Sequence, residues 1–211
     1  MYQNDTQSPT VDRKMRWAGF LERPRISMVQ RAMLDTGRVE GLKRALASYR
    51  QDAILEVGCG LGECSRIAGS TYVGIDNSLP RIRYAQRRYP RHRFLVADAR
   101  ALPFDAASFD LAMLIDTSHH LTDDQLRVVL AEMKRVSRRH LAISDPVFFE
   151  NQGRLSSLVY RLDRGACIRS VEQMRTFLAA VEGVELVGVT TFRTFPGLYV
   201  HATFVLAVTG R

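Results

Sequence analysis

The stretch ILEVGCGLGE, residues 54–63, decides the fold of this chain. Its first four residues form a short apolar run that predicts a buried strand, and the run stops at three alternate glycines, Gly58, Gly60 and Gly62. Glycine has no Cβ atom, so the backbone can take positive φ there and let a ligand approach closely. A strand, a glycine turn and a helix start are typical of a nucleotide-cofactor cradle at the carboxyl edge of a parallel sheet.

Strands and helices alternate on both sides of this turn. The predicted strands cover residues 53–57, 72–75, 93–97, 109–115, 140–144, 184–192 and 199–208. The predicted helices cover residues 25–48 (broken near Gly37 or Gly41), 62–68, 78–88, 122–136 and 170–181, and two of them start with capping-box patterns, Thr122 with Gln125 and Ser170 with Gln173. The four-residue connection 195–198 requires the last two strands to be antiparallel. The pattern predicts an α/β, doubly wound, seven-stranded and mostly parallel sheet with an antiparallel last strand.

Length and composition indicate one globular domain, since 46% of the 211 residues are hydrophobic. We expect residues 1–50 to form a tail and lid helices, and residues 51–211 to form the domain itself. No apolar run approaches the ~20 residues of a membrane helix, and the polar N-terminus has no signal-peptide core. The three cysteines lack CxxC spacing, so we expect a cytoplasmic protein with reduced thiols, no structural zinc and no membrane span.

The net charge is +8, and nearly all of the basic residues are arginines. Such a charge is found in proteins that bind nucleic acid or membrane surfaces, but it also arises from arginines that only solvate the surface. The arginines are spread along the chain, apart from clusters in residues 13–31 and 81–93. This spread favours the second interpretation, so a nucleic-acid partner is not expected.

Acidic residues follow the predicted strands at informative places. Asp76 ends the second strand, about twenty residues after the first glycine, where a carboxylate can accept hydrogen bonds from both ribose hydroxyls. Asp98 ends the third strand, and Glu56 lies within the first. Because ligands of doubly wound sheets bind outside the carboxyl ends of the strands, these acids are expected to converge on one elongated cofactor.

A dinucleotide is the rival ligand, with the fingerprint GxGxxG. Here the third glycine comes one residue early and Glu63 takes its place, where a carboxylate would repel a pyrophosphate. Glu56 beside the turn also favours a cationic ligand. A P-loop is excluded because no GK[ST] follows the glycines.

The chain resembles the class I S-adenosylmethionine-dependent methyltransferases over residues 53–144, with the C-terminal hairpin in agreement. The matching motifs are ExGxGxG at 56–62, the acid at Asp76, the Asp98-Ala99 pair, and the Leu102-Pro103-Phe104-Asp105 segment of the small-molecule branch, which includes quinone-biosynthesis C-methyltransferases. The resemblance implies a Rossmann-like methyltransferase fold, S-adenosylmethionine as cofactor, S-adenosylhomocysteine as product and no metal. The cofactor-binding residues it implies are Glu56, Gly58, Cys59, Gly60, Gly62, Asp76, Asn77, Asp98, Ala99, Asp116 and Thr117.

The loop after the fourth strand carries two candidate catalytic residues, His119 and His120. The resemblance implies that this loop borders the transferred methyl group, with Asp116 and Thr117 near the methionine part of the cofactor. A histidine titrates near neutrality and can take a proton from an acceptor. The alternative is that one histidine packs against or caps the following helix and neither is catalytic.

Three functions remain open from the sequence. The first is methyl transfer to a small organic acceptor at oxygen, nitrogen or carbon, by a monomer or homodimer. The second is an RNA or protein methyltransferase that uses the basic surface, although the fourth strand lacks the [DN]PP[YF] turn and no RNA-binding module is visible. The third is a cofactor-binding protein without turnover. Residues 146–169 and the N-terminal helix are predicted to cover the acceptor pocket.

Overall fold

Seven strands form one sheet in the computed structural model, which describes residues 37–49, 52–68, 71–149, 167–194 and 200–210. The strands are β1 (Ala53–Val57), β2 (Thr71–Asp76), β3 (Arg93–Val96), β4 (Phe109–Ile115), β5 (Ser137–Pro146), β6 (Val184–Arg193) and β7 (Val200–Val208). Their order in the sheet is β3-β2-β1-β4-β5-β7-β6. Only β7 runs antiparallel to its neighbours β5 and β6, so the predicted fold class is confirmed.

Helices connect the strands on both faces of the sheet. They are α1 (Arg38–Leu46), α2 (Leu79–Arg88), α3 (Asp123–Val136) and α4 (Val171–Ala179), with short 3-10 helices at Glu63–Ile67 and Ser118–His120. Both predicted capping boxes are present, at the starts of α3 and α4. Within the described part of the chain, no helix is both long and apolar enough to cross a membrane.

Two of the differences from the predicted element bounds have a clear structural reason. Strand β5 begins at Ser137 rather than His140, because the backbone of this polar segment pairs with β4 across a register shift, which side-chain hydropathy does not reveal. Helix α1 begins at Arg38, directly after Gly37 with its left-handed backbone, and continues through Gly41, so of the two predicted break positions Gly41 is not one. The ring of Phe192 lies only 2.4 Å from the position of a Cβ at residue 41, so this glycine serves helix packing. Residues 25–36 of the predicted helix lie outside the described residues.

The core has two layers, one on each face of the sheet. Alternate residues of β1 enter opposite layers: Leu55 packs with α3 and α4, and Ile54 packs with α1 and α2. Leu42 and Leu46 of α1 are fully buried in the second layer. Since both faces are covered, the ligand-accessible part of the sheet is the edge where the parallel strands end.

Candidate cofactor and catalytic site

The three glycines after β1 all have positive φ, but the atoms that surround them differ. A Cβ at Gly58 would lie 2.5 Å from Oγ1 of Thr117, and a Cβ at Gly62 would lie 2.8 Å from the ring of Phe94. At Gly60, with φ +52°, a Cβ would meet no atom within 4 Å among the residues that the structure describes. Gly58 and Gly62 therefore serve packing, whereas Gly60 borders open space, as a ligand cradle requires.

Asp76 fixes the glycine turn from the end of β2. Its Oδ2 accepts a hydrogen bond from the Gly60 amide at 3.0 Å, and its Oδ1 accepts one from the Ser78 amide at 2.8 Å. Each carboxylate oxygen keeps a second lone pair, so Asp76 can still accept hydrogen bonds from two ligand hydroxyls. Asn77, which follows it, is exposed.

Asp98 lies beyond the end of β3, beside the half-buried Ala99. Arg100 donates to its carboxylate from Nη2 at 2.7 Å and from its backbone amide at 2.9 Å. The hydrogen bonds from the Arg100 side chain and backbone lower the pKa of Asp98 to about 2. Asp98 is therefore ionised at neutral pH, and a ligand amine that reaches this carboxylate must share it with Arg100.

Replacing Arg100 by alanine is expected to raise the pKa of Asp98 toward its ordinary value of about 3.9. Because the pKa of Asp98 is lower in the folded state than in the unfolded state, its ionised carboxylate stabilises the folded protein at pH values above its ordinary pKa. This stabilisation is lost as the pH falls toward 2. An NMR titration of the Asp98 carboxyl carbon in both proteins measures the change. Arg83→Ala removes an exposed arginine outside this pair and serves as the control. An Asp98 that still titrates near pH 2 in Arg100→Ala would contradict the assignment.

Glu56 and Cys59 lie beneath the turn. Glu56 is 2% exposed and accepts a hydrogen bond from the hydroxyl of Tyr72. Burial, followed by the nearby charges of Glu56 and Asp76, raises the pKa of the Cys59 thiol far above its usual range. Cys59 is thus a neutral thiol, and its amide donates to the carbonyl of Ile75 at 2.8 Å.

The carboxylates of Glu56 and Glu63 both have partners inside the protein. Glu56 accepts from the hydroxyl of Tyr72, and Glu63 pairs with Nη2 of Arg38 at 3.0 Å. In the sequence analysis these two carboxylates were expected to disfavour a pyrophosphate and to favour a cationic ligand. The geometry leaves Asp76 as the acid that borders the open turn.

The loop after β4 begins with Asp116, a non-glycine residue with φ +49°. Its Oδ2 lies 2.9 Å from Nη1 of Arg38, and its Oδ1 lies 3.0 Å from Nε2 of the buried His201. Thr117 donates from Oγ1 to the carbonyl of Ile115 at 2.9 Å and contacts Gly58. The structure thus brings Asp116 and Thr117 to the same sheet edge as the glycine turn.

His119 and His120 have different environments. The Nδ1 atom of His119 lies 2.5 Å from Oδ1 of Asp145, and this histidine is only 4% exposed, whereas His120 is exposed. Ser118 donates to the other oxygen of Asp145 from its amide, at 3.1 Å, and from its hydroxyl. With Nδ1–H donating to the carboxylate, the imidazole presents Nε2 as its acceptor nitrogen.

Asp145 is a candidate site residue that was not among the site residues predicted from the sequence. The structure places it in β5, buried to 4% exposure. An acid at the end of an otherwise apolar strand was the available signal. Among the described residues, no group of three or more histidine, cysteine, aspartate or glutamate side chains could hold a metal ion.

Comparisons with known proteins show that this chain is similar to methyltransferases in sequence and in fold. Residues 54–140 fit the family model described as a methyltransferase domain. A malonyl-[acyl-carrier protein] O-methyltransferase of Salmonella typhimurium is 36% identical over 112 residues, which cover 52% of this chain and 44% of the relative. An O-methyltransferase of Aspergillus nomiae is 39% identical over 112 residues, which cover 47% of this chain and 49% of the relative. The matched part thus spans less than half of each relative.

Among solved structures, the chain is similar to magnesium protoporphyrin IX methyltransferase of Synechocystis with bound SAH. The TM-score is 0.64 at 15% identity, and the match covers 98% of this chain and 90% of that one. At this identity the likeness shows the fold.

Proposed function

We propose that the protein transfers a methyl group from S-adenosylmethionine to a small organic acceptor, because residues 54–140 match the family model described as a methyltransferase domain. The family resemblance predicted from the sequence is confirmed for this part of the chain. The names of the two curated relatives favour a hydroxyl or carboxyl oxygen as the acceptor atom.

The open turn at Gly60, anchored by Asp76, is the observation that carries the proposal. In our proposal the backbone around Gly60 approaches the cofactor, and Asp76 accepts hydrogen bonds from its ribose hydroxyls. Asp98 and Ala99 lie at the adenine, and Asp116 and Thr117 border the methionine end. The bound cofactor supplies a methyl group that is already activated on a sulfonium, with neutral S-adenosylhomocysteine as the leaving group.

In this proposal His119 acts as the general base. When the acceptor is a hydroxyl, Nε2 of His119 takes the proton as the oxygen forms its new bond to the methyl carbon and the carbon–sulfur bond breaks. The Asp145 carboxylate holds the imidazole ring in place and stabilises the imidazolium that forms. A carboxylate acceptor needs no base, and His119 would then orient it.

The described residues Cys59, Cys64 and Cys167 form no disulfide, which supports a reducing compartment such as the cytoplasm. We propose that the chain acts there as a monomer or homodimer. The cofactor is expected to suffice without a metal ion.

Isothermal calorimetry of the full chain with S-adenosylmethionine and S-adenosylhomocysteine tests the first half of the proposal. Turnover is then measured as S-adenosylhomocysteine formation across a panel of small hydroxyl, phenol and carboxylate acceptors, with total RNA and a protein extract as parallel acceptors. We expect cofactor binding and transfer to at least one small acceptor. Transfer only to RNA or protein would establish the alternative class, and binding without any transfer would indicate a non-catalytic protein.

A further inference from the structure

We propose that Arg38 is a positioning residue that joins helix α1 to the methyl-donor end of the site. This inference rests on the proposed function, since it concerns how the cofactor loops are held. It makes α1 part of the cofactor site rather than only a cover over the sheet.

Arg38 bridges two loops that flank the glycine turn. Its guanidinium is buried, with a side-chain exposure of 4%, and forks between two carboxylates. Nη1 lies 2.9 Å from Oδ2 of Asp116, and Nη2 lies 3.0 Å from Oε2 of Glu63. Glu63 begins the 3-10 helix after the turn, and Asp116 follows β4. One side chain from α1 therefore sets the spacing between both loops.

The contacts close into a ring that starts and ends in α1. Asp116, which pairs with Arg38, also contacts Nε2 of His201 through its Oδ1 at 3.0 Å. The His201 ring stacks on the ring of Phe192, with the two centroids 5.6 Å apart. Phe192 in turn packs against α1 at Gly41, where any Cβ would clash. Arg38 and Gly41, where this series of contacts begins and ends, both belong to α1. A displacement of α1 would therefore move Asp116.

A shift of Asp116 reaches the cofactor cradle directly. Asp116 has a left-handed backbone, which non-glycine residues adopt only when their surroundings hold them there. The next residue, Thr117, contacts Gly58 of the turn. Because coupling between two sites is reciprocal, cofactor binding should in turn stabilise the docking of α1.

Two substitutions in the full chain test the inference. Arg38→Lys keeps a buried positive charge but offers one nitrogen instead of a fork, and Arg38→Met removes the charge. We expect the affinity for S-adenosylhomocysteine to fall about tenfold or more in Arg38→Met and several-fold in Arg38→Lys. Arg44→Met, which changes an exposed arginine of the same helix, should bind within about twofold of wild type.

Amide hydrogen exchange supplies a second measurement. If Arg38 had only a structural role, its substitution would not change the effect of S-adenosylhomocysteine on the exchange rates of α1. In wild type, S-adenosylhomocysteine should slow exchange in residues 38–46, and in Arg38→Lys this protection should be largely lost. If wild type does not bind S-adenosylhomocysteine, the proposed function and this inference fail together. If wild type binds and folded Arg38→Lys binds equally well with unchanged protection of α1, only the inference is overturned. Arg38→Lys decides the matter if Arg38→Met does not fold.

Discussion

Replacing Gly60 by leucine is expected to weaken S-adenosylhomocysteine binding by about 100-fold or more, a loss of roughly 2.7 kcal/mol. A Cβ at this position would meet no atom of the described residues within 4 Å, so the leucine side chain is expected to enter the open cradle instead of the core. The protein should stay folded, because a non-glycine residue at φ +52° costs only about 1–2 kcal/mol.

Isothermal calorimetry measures the affinity, and thermal unfolding checks that the variant is folded. Gly210→Leu is the matched control, since Gly210 also has positive φ and open space around its Cβ position but lies near the end of the chain, outside the turn. The control should lose comparable backbone stability without losing affinity. Wild-type affinity in folded Gly60→Leu would place the cofactor elsewhere.

Replacing His119 by asparagine is expected to lower kcat for a hydroxyl acceptor by about 10²- to 10⁴-fold, as loss of a general base does. The asparagine amide can still donate to Asp145, so the buried carboxylate keeps a partner, but no nitrogen remains to take a proton. Affinity for S-adenosylhomocysteine should change little. His120→Asn, the control at the exposed neighbour, should retain turnover within about threefold.

Steady-state kinetics with an acceptor identified from the panel provides the measurement, together with the pH dependence of kcat/KM. We expect the wild-type rate to fall at acid pH and this acid limb to disappear in His119→Asn. Asp145→Asn should lower kcat as well, because the imidazole loses the carboxylate that stabilises its charged form. Near-normal turnover in His119→Asn would falsify the role as a base.

Much of the fold could be predicted because it depends on local sequence. The bounds of β1 and β4 match the prediction, since strands that are buried on both faces are continuous apolar runs. The capping boxes of α3 and α4 are likewise local, with partners three residues apart. The start of β5 could not be predicted, because its polar residues are held by backbone pairing with β4.

The chain's own sequence was sufficient to determine the glycine turn, the succession of strands and helices along the chain and the acids at the strand ends, because backbone conformation and burial follow short-range patterns. Only the tertiary structure decided what each side chain contacts. It gave His119 a carboxylate partner 26 residues away, and it joined Asp116 to Arg38 across the sheet edge. Such pairs form between residues distant in sequence that the sheet brings together, and no local periodicity records them.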